Sequence, residues 1–151
     1  MNNLGYPCIN MQLSYPTQWG DQPRGTERIT TNRSMIKRTY QAKGVKYASE
    51  LSLLNVQDLE RIIDWNEANG IKFYRMSSDV FPWASEHGIS ALPGYDQICE
   101  VLKRCGDKAT AYGQRLTTHP GPFNKLTSPR EQVVLNTIKD LEIHGQLFDL
   151  M

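Results

Sequence analysis

The sequence has no apolar run approaching the roughly 18 residues of a membrane-spanning helix. Its first residues, MNNLGYPCINMQLSYP, lack a basic segment followed by an apolar stretch, so no secretion signal is read there. A cytoplasmic protein of bacterial or viral type is expected. Cysteine is scarce: Cys8, Cys99 and Cys105 are the only three, without metal-type spacing, and read as free thiols rather than a disulfide framework. No Gly-rich phosphate loop, Cys-x-x-Cys pair, Gly-x-Ser-x-Gly elbow or His-Glu-x-x-His occurs. There is no internal repeat and no low-complexity tract. What remains is an ordinary globular composition, 39% hydrophobic and 22% charged over 151 residues, enough for one domain with a core.

Net charge is only +1, but its distribution is uneven. Arg24, Arg28, Arg33, Lys37, Arg38, Lys43 and Lys46 stand against the single acid Glu27, whereas residues 47–151 are net acidic. A basic segment on a near-neutral protein can neutralise phosphates along one face; the alternative is a solvated loop and helix surface.

Residues 4–10 are short, apolar and bounded by Gly5 and Pro7, which suits a first buried strand. Residues 11–31 read as a long loop. Residues 34–54 have helical composition with Gly44 as an interruption. Asn55 then reads as the N-cap of a helix carrying Val56, Leu59, Ile62 and Ile63, closed by Asn69-Gly70. Residues 71–77 form the second strand candidate and 78–94 a loop. A helix is expected around 95–112, with Ile98, Leu102, Cys105 and Ala109 on one stripe. The third strand is 115–118. Ser128-Pro129-Arg130-Glu131 reads as a capping box before a helix with Val134, Ile138, Leu141 and Phe148 on one face. Three alternations of strand and helix predict parallel strands with right-handed crossovers.

In such folds ligands bind beyond the C-terminal ends of the strands. His119, in Thr118-His119-Pro120-Gly121, falls at one of them. A histidine on a rigid strand edge suits a metal ligand; from the residues alone, a histidine hydrogen-bonded in a turn is the commoner case. His87 lies in the second loop, between a ligand-facing and a surface reading. His144, in the last helix, reads as a surface residue.

Taken in order, LGYPCINMQL at 4–13, TTNRS at 30–34, KFYRMSSDVFPW at 72–83 and THPG at 118–121 resemble the UV damage endonuclease family. The resemblance runs over nearly the whole chain and implies the N-terminal part of a (β/α)8 TIM barrel, about three βα units, as a single incomplete domain over 1–151. It implies metal-dependent incision of double-stranded DNA 5′ to UV photoproducts, with manganese as the expected cofactor. His119 matches a metal ligand, and His87 a histidine of the same mouth. Tyr6 and Asn10 match residues near the lesion. Pro122 and Phe123 match the probe that enters the duplex, although the family more often carries Gln where this chain has Pro122. Arg24, Arg28, Arg33, Lys37 and Arg38 are the candidates for the DNA backbone. No residue is assigned as the catalytic acid or base. With three strands of eight, the chain by itself is expected to be inactive. The alternatives are a non-catalytic DNA-binding remnant, or a small α/β protein completing its sheet with a partner chain. Self-association through the open barrel edge is expected.

Overall fold

A computed structural model of the chain describes residues 4–19 and 26–151. Strands β1 (Gly5–Pro7), β2 (Phe73–Met76) and β3 (Arg115–Thr118) form one parallel sheet in the order β1-β2-β3. The register sets Tyr6 beside Tyr74 and Tyr74 beside Leu116. Each crossover carries a helix: α3 (Lys37–Ala68) between β1 and β2, and α5 (Tyr95–Ala111) between β2 and β3, while α6 (Glu131–Asp149) follows β3. Short helices α1 (Met11–Ser14), α2 (Pro16–Trp19) and α4 (Ala84–His87) lie in the loops. The expected parallel βα order is therefore present, with the first two strands shorter than the sequence suggested.

Period-two alternation sorts the sheet into two faces. Tyr74 and Met76 are fully buried against α3 and α5, in a core with Leu59, Ile62, Ile63, Ile98, Leu102 and Cys105. Their neighbours Arg75 and Arg115 point the other way and are exposed. That bare face is the inside of the curve a closed barrel would make. Gly5 allows β1 to approach β2, since a Cβ there would lie 2.5 Å from the Phe73 carbonyl oxygen.

Three local expectations are corrected. Asn55 caps nothing: α3 runs through it, and it is buried as a hydrogen-bonding hub. The capping box does not form, because the N-cap of α6 is Arg130, with no side-chain cap, and Ser128 Oγ instead accepts from the Arg130 N–H at 3.2 Å. His144 is buried, not on the surface. The last correction comes from the roll of α6. Its buried residues are Thr137, His144 and Leu147, while Ile138 and Phe148 of the apolar stripe remain 41% and 40% exposed.

Candidate functional site at the strand ends

Where β1 ends, Cys8 takes a left-handed conformation (φ 58°) that turns the chain. The turn is held from β2: the Cys8 N–H donates to the Arg75 carbonyl at 2.7 Å, and the Tyr74 hydroxyl donates to the Cys8 carbonyl at 2.8 Å. Asn10 then caps α1, its Oδ1 accepting from the Leu13 N–H, and its Nδ2 donates to the Tyr6 hydroxyl at 3.0 Å. That hydroxyl donates to Asn66 Oδ1 at 2.7 Å. Tyr6 and Asn10 are thus brought together, with Asn10 buried. Burial pushes the Tyr6 phenol up to about 12, against the lesser downward pull of its two amide partners.

Beyond β2, Ser77 Oγ accepts from the Asp79 N–H and opens a single 3-10 turn (Ser78–Val80). Burial, then the nearby Asp140, raises the Asp79 carboxyl, though its open surface screens both effects. Trp83 is the second non-glycine residue with positive φ (63°) among those described. Its indole donates to the Met35 carbonyl at 2.9 Å, and its ring stacks on Tyr40 at 4.9 Å. His87 lies on the same tyrosine, 6.1 Å between ring centres. Its Nδ1 is 2.7 Å from the Gly88 carbonyl, which can only accept, so Nδ1 carries the proton. Nε2 is left buried with no protein partner.

At the end of β3 the His119 N–H extends the ladder to the Met76 carbonyl at 2.8 Å, fixing the residue at the strand edge. The following loop is tied down behind its tip: Asn124 Nδ2 donates to Asp140 at 2.5 Å, and the Lys125 N–H donates to Thr137 Oγ1 at 2.9 Å. Phe123, between the Gly121-Pro122 bend and these anchors, is 86% exposed. The loops after β2 and β3 enclose with α6 a cavity of about 580 Å³, reached by Asp79, Trp83, Phe123, Asp140 and His144. Burial lowers the His144 pKa, with Asp140, 3.7 Å away, opposing it.

The basic candidates divide. Arg33 is committed within the fold: Nη2 pairs with the buried Asp58 at 2.7 Å, and the same guanidinium donates to the Thr30 and Arg28 carbonyls. Arg28 lies over the Tyr15 ring at 5.3 Å and is exposed. Lys37 and Arg38 are exposed at the start of α3. Arg24 lies outside the described residues.

His119 and His87 offer ring nitrogens at this edge, but no group of three or more His, Cys, Asp or Glu side chains that could hold a metal ion occurs among the described residues. The described part alone does not fit a complete metal centre. Nor does any described helix have the length and apolarity to cross a membrane.

A parallel βα sheet with polar residues gathered at its strand ends defines the strand-end site of the (β/α) barrel enzymes, and three strands make it a partial barrel. Residues 2–151 match the family UV-endonuclease UvdE, and the chain belongs to that family. It is 36% identical to a UV-damage endonuclease of Neurospora crassa, over 98% of this chain and 25% of that protein. A putative UV-damage endonuclease of Acanthamoeba polyphaga mimivirus is 34% identical over 98% of this chain and 42% of its own length. The crystal structure of SacUVDE superposes with a TM-score of 0.78 at 26% identity, covering 97% of this chain and 45% of that one. The chain therefore spans between a quarter and less than half of these relatives.

Four residues of this edge escape motif reading. Asn55 looks like any cap. Trp83 gives no sequence sign of its positive φ. Asp140 and His144 are four apart, a spacing that places them on one helix face; that spacing was the one available signal.

Proposed function

We propose that this chain supplies the first three βα units of a UV-damage DNA endonuclease, which incises double-stranded DNA 5′ to a UV photoproduct in a metal-dependent reaction. One observation carries the reading: the ends of three parallel strands bring Tyr6, Asn10, His119 and the exposed Phe123 to one edge of the sheet. Phosphodiester hydrolysis needs an activated water and neutralised phosphate charge, which a divalent ion such as manganese supplies when bound. On this reading His119 is one donor to that ion, His87 a second candidate, and the missing donors come from the rest of a barrel. Phe123 stacks at the distorted site, Tyr6 and Asn10 brace the end of β1 beneath it through their mutual hydrogen bond, and Arg28, Lys37 and Arg38 meet the backbone. The chain alone is then catalytically silent.

The test is a chimera in which this chain replaces the matched part of the mimiviral relative. Manganese-dependent nicking of UV-irradiated duplex is expected from the chimera and none from the isolated chain. His119→Ala should abolish nicking while leaving binding to irradiated DNA. A His119→Ala chimera that nicks normally would overturn the assignment of His119, and nicking by the pure 151-residue chain would overturn its catalytic silence.

A second reading, self-association or completion by a partner chain, is favoured by the outer edge of β3. A groove there is lined by Arg115, Thr117, Pro120, Leu141 and Phe148. An uncovered strand beside an uncovered apolar helix stripe is a surface that another strand can take.

A further inference from the structure

We propose that residues Lys37–Lys43 of α3 form a hinged basic arm that grips the phosphodiester backbone of a duplex, with Gly44 as hinge and Trp83 as the residue that positions it. The inference rests on the DNA reading above, which already sets Lys37 and Arg38 against the backbone, and adds to it Lys43, the hinge and the residue that positions the arm.

The hinge is conformational. Gly44 interrupts α3 at φ 65° and ψ −162°, a backbone state essentially closed to other residues. A Cβ placed there would meet nothing within 4 Å, so the glycine is needed for its torsion angles and not for space. On its C-terminal side the helix is locked into the core by Ala48, Leu51, Ser52, Asn55 and Val56. On its N-terminal side no residue from 37 to 43 is buried.

The arm is built for an anion. In seven residues it carries Lys37, Arg38 and Lys43 and no acid. All three are exposed and none forms a salt bridge with a described residue, although Lys43 Nζ rests 4.0 Å over the Tyr47 ring across the hinge, a contact that phosphate would have to displace. Lys37 and Lys43 stand three residues either side of Tyr40, so they flank it on one helix face.

Trp83 touches the arm once and its approach once. It stacks on Tyr40 with ring planes 5° apart, and it donates its indole N–H to the carbonyl of Met35, just upstream. A tryptophan at φ 63° is strained, and strain of this kind persists where the surroundings over-determine it. Trp83 comes from the loop leaving β2 and also lines the cavity behind Phe123. It therefore sets the arm at the same end of the sheet as the exposed probe residue.

The test measures binding of the full 151-residue chain to an undamaged 20-base-pair duplex across a salt series. Changing Lys37, Arg38 and Lys43 together to Ala should lower the slope of log affinity against log salt by about 2–3, since each lost phosphate contact removes about 0.9. This variant alters only exposed side chains and should fold as the parent does. Trp83→Ala should reduce the slope similarly, and Tyr40→Phe, which keeps the stack, should preserve it. Amide exchange gives a readout independent of DNA: in Trp83→Ala, residues 37–43 should lose protection while 45–68 keep theirs. An unchanged slope in the triple variant, or protection lost evenly along α3, overturns the arm while leaving the DNA reading intact. Failure of the unsubstituted chain to bind duplex at any salt, while the mimiviral chimera binds, overturns the arm alone; failure of the chimera as well overturns the DNA reading.

Discussion

Asn55 and the backbone of Arg33 are joined twice: the Arg33 N–H donates to Asn55 Oδ1 at 3.0 Å, and Asn55 Nδ2 donates back to the Arg33 carbonyl at 2.9 Å. The same Nδ2 lies 3.0 and 3.2 Å from the carbonyls of Asp79 and Val80. One fully buried amide thus ties the loop before α3 to the loop after β2, the two segments that flank the candidate site. Asn55→Ala leaves backbone groups that are part-buried at Arg33 and Asp79 and buried at Val80 without this partner, at about 1–3 kcal/mol for each group stranded out of reach of water. The expected loss is therefore at least about 2 kcal/mol, read from the urea midpoint. Asn55→Asp should not rescue it, because a carboxylate has no hydrogen to donate. A loss within measurement error for both variants would show that the hub is dispensable.

That residue also marks how far the sequence could be read. The strands, the stripe Ile98, Leu102, Cys105 and Ala109, and the helix ends at Asn69-Gly70 and Tyr112-Gly113 were legible because each follows from local periodicity or a backbone preference. His119 was placed at a strand end for the same reason. Asn55 was misread because its partners are 22 to 25 residues away, and an asparagine before an apolar run has the same local signature whether it caps a helix or sits inside one. His144 was misread because the side of α6 that docks is chosen by its neighbours. Ile138 and Phe148 of the apolar stripe face outward, while the docked side carries Thr137 and His144 together with Leu147.

Tyr6 gives a pH dependence with a definite sign. Its folded pKa, about 12, lies above its ordinary value of 10, so the native state favours the protonated phenol. Its contribution is complete below pH 10 and is lost as pH rises from 10 through about 12. Denaturation midpoints should fall across that window. Tyr6→Phe should be less stable at neutral pH, having lost the bonds to Asn10 and Asn66, and its stability should fall less steeply above pH 10. Parallel alkaline limbs for the two proteins would remove Tyr6 from the titration.

The uncovered stripe of α6 predicts concentration-dependent association. Ile138 and Phe148 are already exposed, so changing both to Lys costs little packing while placing charge beside the open edge of β3. Sedimentation should show the parent chain shifting to larger species as concentration rises, and the double variant remaining monomeric. A parent that stays monomeric at the highest soluble concentration would refute association through this face.

Phe123 is held in place by its neighbours yet touches little. The Asn124 bond to Asp140 and the Lys125 bond to Thr137 fix the loop behind it, so the ring can be offered to solvent without being free to collapse. An 86% exposed phenylalanine contributes almost nothing to folding, and Phe123→Ala should leave the melting temperature of the chain unchanged. Its proposed use is at a lesion. Entering a duplex costs a few kcal/mol of unstacking per base step, least where the stack is already distorted. Once inside, one base–aromatic stack returns about 1–3 kcal/mol. Phe123→Ala in the chimera should therefore weaken binding to a photoproduct-containing duplex by roughly that 1–3 kcal/mol and binding to the matched undamaged duplex far less. Pro122 adds shape but no hydrogen bond, so the pair should sense distortion and not base identity. Pro122→Gln supplies the residue that the family resemblance implies at this position and should be tolerated. Equal weakening on both duplexes, or on neither, would return Phe123 to the surface as a residue without a role in recognition.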